Sequence, residues 1–176
     1  MDDELADFLN SLTPFAEEVV SWPSATLRLA CYLTDEEPPR KYVSSARVVV
    51  TSGNSVLVVR DQNGQHILPG GRLESKETPV DALRREALEE TGWSVDCIRL
   101  VGIMHYTHTD PVQEGLSYSY PDFLQIVYAG IALEYRPELK EIGGYELGSE
   151  FVPFSDVRSL PLNLGQQVFL DAALGG

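Results

Sequence analysis

The chain lacks any apolar run approaching ~20 residues, which excludes a membrane-spanning helix of ordinary length. Its opening residues, MDDELADFLNSL, have no basic stretch followed by an apolar one, so they lack the build of a secretory signal. A cytoplasmic protein is the expectation. Cysteine is scarce: Cys31 and Cys97 lie far apart and without metal-like spacing, which excludes a disulfide framework or a thiolate metal site. Both read as small buried apolar residues. Basic residues are also few, with 13 lysines and arginines against 27 acids and a formal net charge of −14. That balance excludes the broad basic patch on which loose binding to nucleic acid or an anionic membrane depends. A phosphorylated substrate therefore has to be met locally, by a bound metal and a few arginines that reverse the field. Neither an internal repeat nor a low-complexity tract is found.

What remains is ordinary globular composition, 43% hydrophobic and 23% charged, in 176 residues. One domain with a full core is the default at this length.

One stretch, residues 70–93 (GGRLESKETPVDALRREALEETGW), departs from the ordinary. Thr78 suits an N-cap, Pro79 the first helical position, Asp81 the third position of a capping box, and Gly92 a left-handed stop. The spacing predicts a helix from Pro79 to Thr91. At ~100° per residue, Val80, Leu83 and Ala87 form a narrow apolar stripe. Glu86, Glu89 and Glu90 share a neighbouring arc, because i, i+3 and i+4 lie on one face. Like charges at this spacing cost a few tenths of a kcal/mol per pair, and acids in the last turns oppose the macrodipole. The plain alternative is a solvated acidic face, offset by Arg84 and Arg85. The preceding Gly-Gly pair argues for more, since glycine lets backbone approach a ligand closely. Carboxylates beside a backbone carbonyl make a hard-oxygen site suited to Mg²⁺ or Mn²⁺.

The stretch resembles the Nudix box, G-x5-E-x7-R-E-U-x-E-E-x-G-U, with U a bulky apolar residue. Gly71, Glu77, Arg85, Glu86, Glu89, Glu90 and Gly92 occupy every fixed position, and Trp93 serves as the final U. Ala87 is smaller than the usual residue at its position, a departure that bears on packing and not on the acids. The resemblance implies a metal-dependent hydrolase that cleaves the pyrophosphate bond of a nucleoside diphosphate linked to another moiety. It implies Gly71 (through its carbonyl), Glu86, Glu89 and Glu90 as metal ligands, with Glu77 and Arg85 as an ion pair supporting the site. Glu89 and Glu90 are candidate catalytic residues. A glutamate in the loop before the last core strand often supplies the general base in this family; Glu141, Glu146 and Glu150 are available, and Glu146 is preferred because Glu150 abuts the strand. Arg72, His105 and His108 are candidate substrate contacts, and Tyr118 and Tyr120 are candidates to stack on a base. Each of these has a plain alternative as a surface or core residue.

Around the box, the implied fold is an α/β/α sandwich with a mixed β-sheet and an N-terminal helical extension. Residues 1–42 are expected to be that extension, one or two short helices broken by Pro14 and Pro23, followed by a strand or helix at 25–33. Its apolar positions suit packing on the domain or a homodimer contact. Residues 43–176 are expected to be the catalytic domain. Two strands at 46–51 and 55–60 form a hairpin leading to the glycine pair. After the box helix come one or two strands at 95–106, a polar loop, the strong apolar strand 123–133, a Glu/Gly-rich loop at 134–150, a short strand at 151–154 and a terminal helix at 165–174. The marks that separate substrate classes within the family are absent, so no substrate is named. Two other readings fit the chain: a Nudix enzyme acting on a non-nucleotide diphosphate, and a nucleotide-sensing module without turnover. The intact set of box glutamates weighs against the second.

Overall fold

The computed structural model describes all residues except Met1, Pro23, Ser24, 112–117, Ile142 and Gly176, and gives Cys97 as backbone only, so the expectation for the Cys97 side chain lies outside the described residues. Helix α1, Asp3–Asn10, is capped by Asp2, whose carboxylate accepts from the Leu5 amide at 3.2 Å. Its Leu5 and Leu9 are buried against the chain's own sheet. Beyond α1 the described N-terminal residues form no further α-helix, only a 3-10 turn at Arg40–Tyr42. Ala16–Trp22 (β1) and Ala25–Leu33 (β2) form an antiparallel hairpin. Pro14 separates this segment from α1, and from Ala25 every second residue through Cys31 is buried, a period of two that a helix does not produce.

The remaining strands and α-helices among the described residues are β3 (Val43–Ser52), β4 (Ser55–Asp61), β5 (Gly64–His66), β6 (Gly70–Arg72), α2 (Pro79–Thr91), β7 (Trp93–His108), β8 (Asp122–Tyr135), β9 (Glu146–Pro153), α3 (Phe154–Val157) and α4 (Leu164–Leu174). Among the described residues the strands form one sheet in the order β1-β2-β7-β8-β3-β4-β5, with β6 paired to β3 and β9 to β4. The β3–β8 pair is parallel and the others antiparallel, so the sheet is mixed. Strand β8 lies in its middle, and residues 122–130 of it are buried without a break, as its apolar run predicts. Register shifts allow β7 to run as one bulged strand. Strand β9 begins at Glu146, so the end of the Glu/Gly-rich segment that reads as loop already belongs to the sheet.

Helices cover both faces. On one, Leu5, Leu9, Leu83 and Ala87 of α1 and α2 pack on Val48, Ile103, Leu124 and Ile126. On the other, Val157, Phe169 and Leu170 of α3 and α4 pack on Leu29, Val49, Val58 and Val127. Each such Leu, Val or Phe, fully buried, stabilises the sandwich by ~1.5–3 kcal/mol. No helix among the described residues is long and apolar enough to cross a membrane. What positions the site is a division along β3: its first half pairs with β6 (Ala46↔Gly71, Arg47↔Gly70) and its last residues with β4 (Thr51↔Val56). The glycine pair thus becomes a short strand at the point where the sheet splits.

Candidate active site

Local signals fix the frame of the box helix. The Thr78 hydroxyl accepts from the Asp81 amide at 3.1 Å, Asp81 Oδ2 accepts from the Thr78 amide at 3.4 Å, and Gly92 closes the helix at φ 77°. Leu83 and Ala87 are fully buried beneath it. The small Ala87 is part of a closed core, so the departure at this position leaves the helix seated.

The acids therefore project toward β6. The Glu86 carboxylate stands where a Cβ on Gly71 would be. Glu90 Oε2 accepts from the Gly70 amide at 2.8 Å. Arg85 ties the group together: Nε and Nη2 meet the two oxygens of Glu77 at 2.8 and 2.9 Å, and Nη1 meets Glu86 at 2.9 Å and Glu89 at 3.1 Å. Its Nη2 also donates to the Arg72 carbonyl at 3.1 Å, so the loop is pinned to the helix by backbone as well as by side chain. The paired guanidinium holds the Glu77 carboxyl down to about 2. Glu90 goes the other way. Burial, with Glu146 and Glu86 adding, pushes its carboxyl up to about 8 against the opposing Gly70 amide and Arg47. Glu146, at the start of β9, is thereby within electrostatic reach of Glu90, whereas Glu150 is exposed and pairs with Arg60 at 3.4 Å. Glu141 meets the helix through its backbone, donating to the Glu89 carbonyl at 2.8 Å.

Three carboxylates and a glycine carbonyl are donors of the type that holds Mg²⁺ or Mn²⁺. In this arrangement no three acidic, histidine or cysteine side chains among the described residues are drawn to common-ligand separations. Glu86 and Glu89 are instead bridged by Arg85, and Glu90 by the Gly70 amide. The donor chemistry fits the ion.

Sequence reasoning missed Arg47. It sits on β3 opposite Gly70, donates to the Gly70 carbonyl, and lines two hollows on the sheet face away from α2. The larger, about 530 Å³, is bordered by Trp22, Met104, Tyr106, Asn163 and Gln166. The smaller, about 190 Å³, is bordered by Ser44, Ser45, Arg72, Tyr118 and Phe123. Trp22, Arg47 and Gln125 line both. Arg72 lies with its guanidinium carbon 5.8 Å from the Tyr118 ring centre. A lone guanidinium in the valine-rich run ARVVV was the available signal, since such a group must find charge or carbonyl partners inside.

The structure does not bring the two histidine candidates to the acids. His105 lies on the opposite face of β7 from Met104 and Tyr106, bonds Asp122 at 2.9 Å, and lines an approximately 730 Å³ hollow beside α1. Burial works against the Asp122 charge, but the His105 and Thr107 bonds prevail and hold its carboxyl at about 2. His108 is buried, with Nε2 unpartnered among the described residues and its ring 5.8 Å from Tyr118. Tyr118 borders the smaller hollow, while Tyr120 bonds the Asp110 carbonyl at 3.0 Å. Cys31 is buried under the larger hollow, which pushes its thiol up to about 12.

Comparison with known proteins identifies the family. Residues 41–173 match the model of the NUDIX domain. A MutT-like protein of Streptomyces ambofaciens is 44% identical over 71 residues, an alignment covering 40% of this chain and 46% of that protein. The chain thus spans less than half of that relative. Among solved structures, a pyrophosphohydrolase of Bacillus subtilis superposes with TM-score 0.62 at 16% identity, over 92% of this chain and 97% of that one. A NUDIX hydrolase of Nitrosomonas europaea does so with TM-score 0.58 at 21% identity, over 76% and 90% of the two chains. At such identities the superpositions speak to the fold alone. With the family model spanning most of the chain and the box acids gathered around its glycine strand, the chain belongs to the NUDIX domain family.

Proposed function

We propose that the chain is a metal-dependent pyrophosphohydrolase acting on a nucleoside diphosphate linked to another moiety. The observation that carries this reading is the convergence of Glu86 and Glu90 on the Gly70–Gly71 strand, with Arg85 and Glu77 locking loop to helix. Members of this family generally use divalent metals. The carbonyl of Gly71 with Glu86, Glu89 and Glu90 would hold Mg²⁺ or Mn²⁺, which neutralises pyrophosphate charge and polarises a phosphoryl oxygen.

The other roles fall to side chains around that point. Arg85, held by Glu77, keeps the acids in place; to let Glu86 and Glu89 converge it gives up its Nη1 bonds and retains Glu77. Glu90, with its carboxyl raised by burial, is a poor proton acceptor near neutral pH in the free protein. Glu146 serves as the base: it takes a proton from the attacking water as the new phosphorus–oxygen bond forms, and the bridging oxygen departs with the leaving phosphate. Arg47 supplies counter-charge to the substrate's phosphates, and the amide-rimmed larger hollow beside Trp22 receives the nucleoside.

The test is hydrolysis of a panel of nucleoside diphosphate derivatives with Mg²⁺, Mn²⁺ or EDTA, comparing wild type with Glu89→Gln. Glu89 is the more exposed of the two helix acids that Arg85 touches, its side chain 43% accessible, so the variant keeps its fold. Metal-dependent turnover reduced at least ~100-fold is expected. Turnover in EDTA, or an unaffected variant, would overturn the assignment; no turnover with ligand-induced stabilisation would favour the sensing module.

A further inference from the structure

We infer that the smaller hollow is an anion subsite that takes the distal phosphoryl group of the substrate, so that nucleoside triphosphates are preferred over nucleoside diphosphates carrying a neutral sugar. The inference rests on the pyrophosphohydrolase reading and extends it to the substrate's second half.

Its first support is charge. The chain carries 13 basic residues against 27 acidic ones, yet two of its arginines, Arg47 and Arg72, border this one hollow and none of its described lining residues is acidic. In a molecule of net charge −14 this is the local reversal that a phosphorylated ligand needs. The second is chemistry: Ser45 and Gln125 add a hydroxyl and an amide donor, and Ser45 is only 3% exposed. The Ser44 hydroxyl donates its proton to the Leu124 carbonyl at 3.1 Å and lines the wall without adding a donor. Aromatic walls from Trp22, Tyr118 and Phe123 limit water at this point, which strengthens any ion pair formed there.

Size and connection give the remaining support. At about 190 Å³ the hollow is below the range of pockets that enclose a whole small molecule and is suited to one group of a larger ligand. The larger hollow shares Trp22, Arg47 and Gln125 with it and has the room for a nucleoside. Arg47 also bonds the Gly70 carbonyl, whose own amide binds Glu90. The two hollows thus adjoin, and Arg47 links them to the strand that meets the acids.

The experiment measures kcat/KM for nucleoside triphosphates and for the matching nucleoside diphosphate-glucose with wild type, Arg72→Gln and Arg72→Lys. In parallel, inorganic tripolyphosphate is titrated calorimetrically into each protein in metal-free buffer. Arg72 is exposed, and thermal melts verify that the variants fold. Wild type is expected to prefer triphosphates. In Arg72→Gln that preference falls ~10–100-fold, mainly through KM, with Arg72→Lys in between, and tripolyphosphate binding weakens by a similar factor. Equal losses on both substrates, a wild-type preference for the sugar derivative, or tripolyphosphate binding indifferent to Arg72→Gln would overturn the inference. If neither substrate is turned over, the pyrophosphohydrolase reading fails, and the tripolyphosphate titration still decides the subsite.

Discussion

Two adjacent glycines answer the same added methyl in opposite ways, and the difference separates folding from chemistry. Gly70 has φ 133°, and a Cβ there would overlap the Ala46 carbonyl oxygen and lie 2.9 Å from Arg47 Cα. Both are backbone atoms of the β3–β6 ladder and have nowhere to go. A side chain at such a φ costs ~1–3 kcal/mol, and overpacking of this kind another ~1–3 kcal/mol. At roughly 2–4 °C per kcal/mol for a domain of this size, Gly70→Ala should lower Tm by roughly 5–20 °C. At Gly71 the three atoms nearest the added Cβ all belong to the Glu86 carboxylate, the end of a flexible side chain. Gly71→Ala should therefore melt within a few degrees of wild type, while Glu86 is pushed out of position and turnover drops ~10–100-fold. Thermal unfolding in EDTA and Mg²⁺-dependent hydrolysis, measured on both variants, decide the matter. A Gly71→Ala protein that is fully active, or as destabilised as Gly70→Ala, would refute the placement of Glu86 against this strand.

Two further predictions concern the acids. Glu77→Gln removes the two-pronged partner of Arg85 and frees its guanidinium to shift among Glu86, Glu89 and the Arg72 carbonyl; metal affinity from a turnover titration should weaken ~10-fold or more, with the fold retained, and an unchanged titration would show the pair to be dispensable. Glu90 sets a pH dependence in the metal-free protein: its carboxyl is raised by burial from 4.5 to about 8 in the folded state, so the unfolded chain releases that proton first, and stability falls as pH rises from about 4.5 to about 8. Its share of the slope is at most ~1.4 kcal/mol per pH unit, and urea denaturation in EDTA should show it in wild type and lose it in Glu90→Gln; equal slopes in the two proteins would count against the burial of Glu90.

Much of this was legible because the governing signals are local. Thr78, Pro79, Asp81 and Gly92 each act within a turn of their own position, and the helix runs from Pro79 to Thr91 as those residues predict. The central place of β8 followed from its run of apolar residues, broken only by Gln125 between Phe123 and Leu133. The N-terminal hairpin was not legible as such: Leu5, Phe8, Leu9 and Leu12 mark a helix, but the acids and valines of 16–22 acquire a strand register only through β2, and β2 only through β7. The start of β9 at Glu146 is of the same kind, imposed by pairing with β4 over Glu- and Gly-rich sequence of low strand propensity.

The residues proposed to govern substrate choice escaped for a related reason. The box concentrates its chemistry on one helix and one loop, where spacing along the chain suffices to read it. The opposite face of the sheet assembles its site from β1, β3, β8 and the start of α4, so that Trp22, Arg47, Gln125 and Gln166 become neighbours of one cavity without any spacing to announce it. Each had a signal alone, a guanidinium or amide set among apolar strand residues, yet none pointed to the others. Hydrolysis is thus read from a contiguous motif, while the proposed selectivity rests on strand order and register. The same division predicts which substitutions matter for what: changes at Gly71 and the box acids should alter turnover with every substrate, and changes at Arg72 or on the far face of β3 and β8 should alter the ranking among substrates.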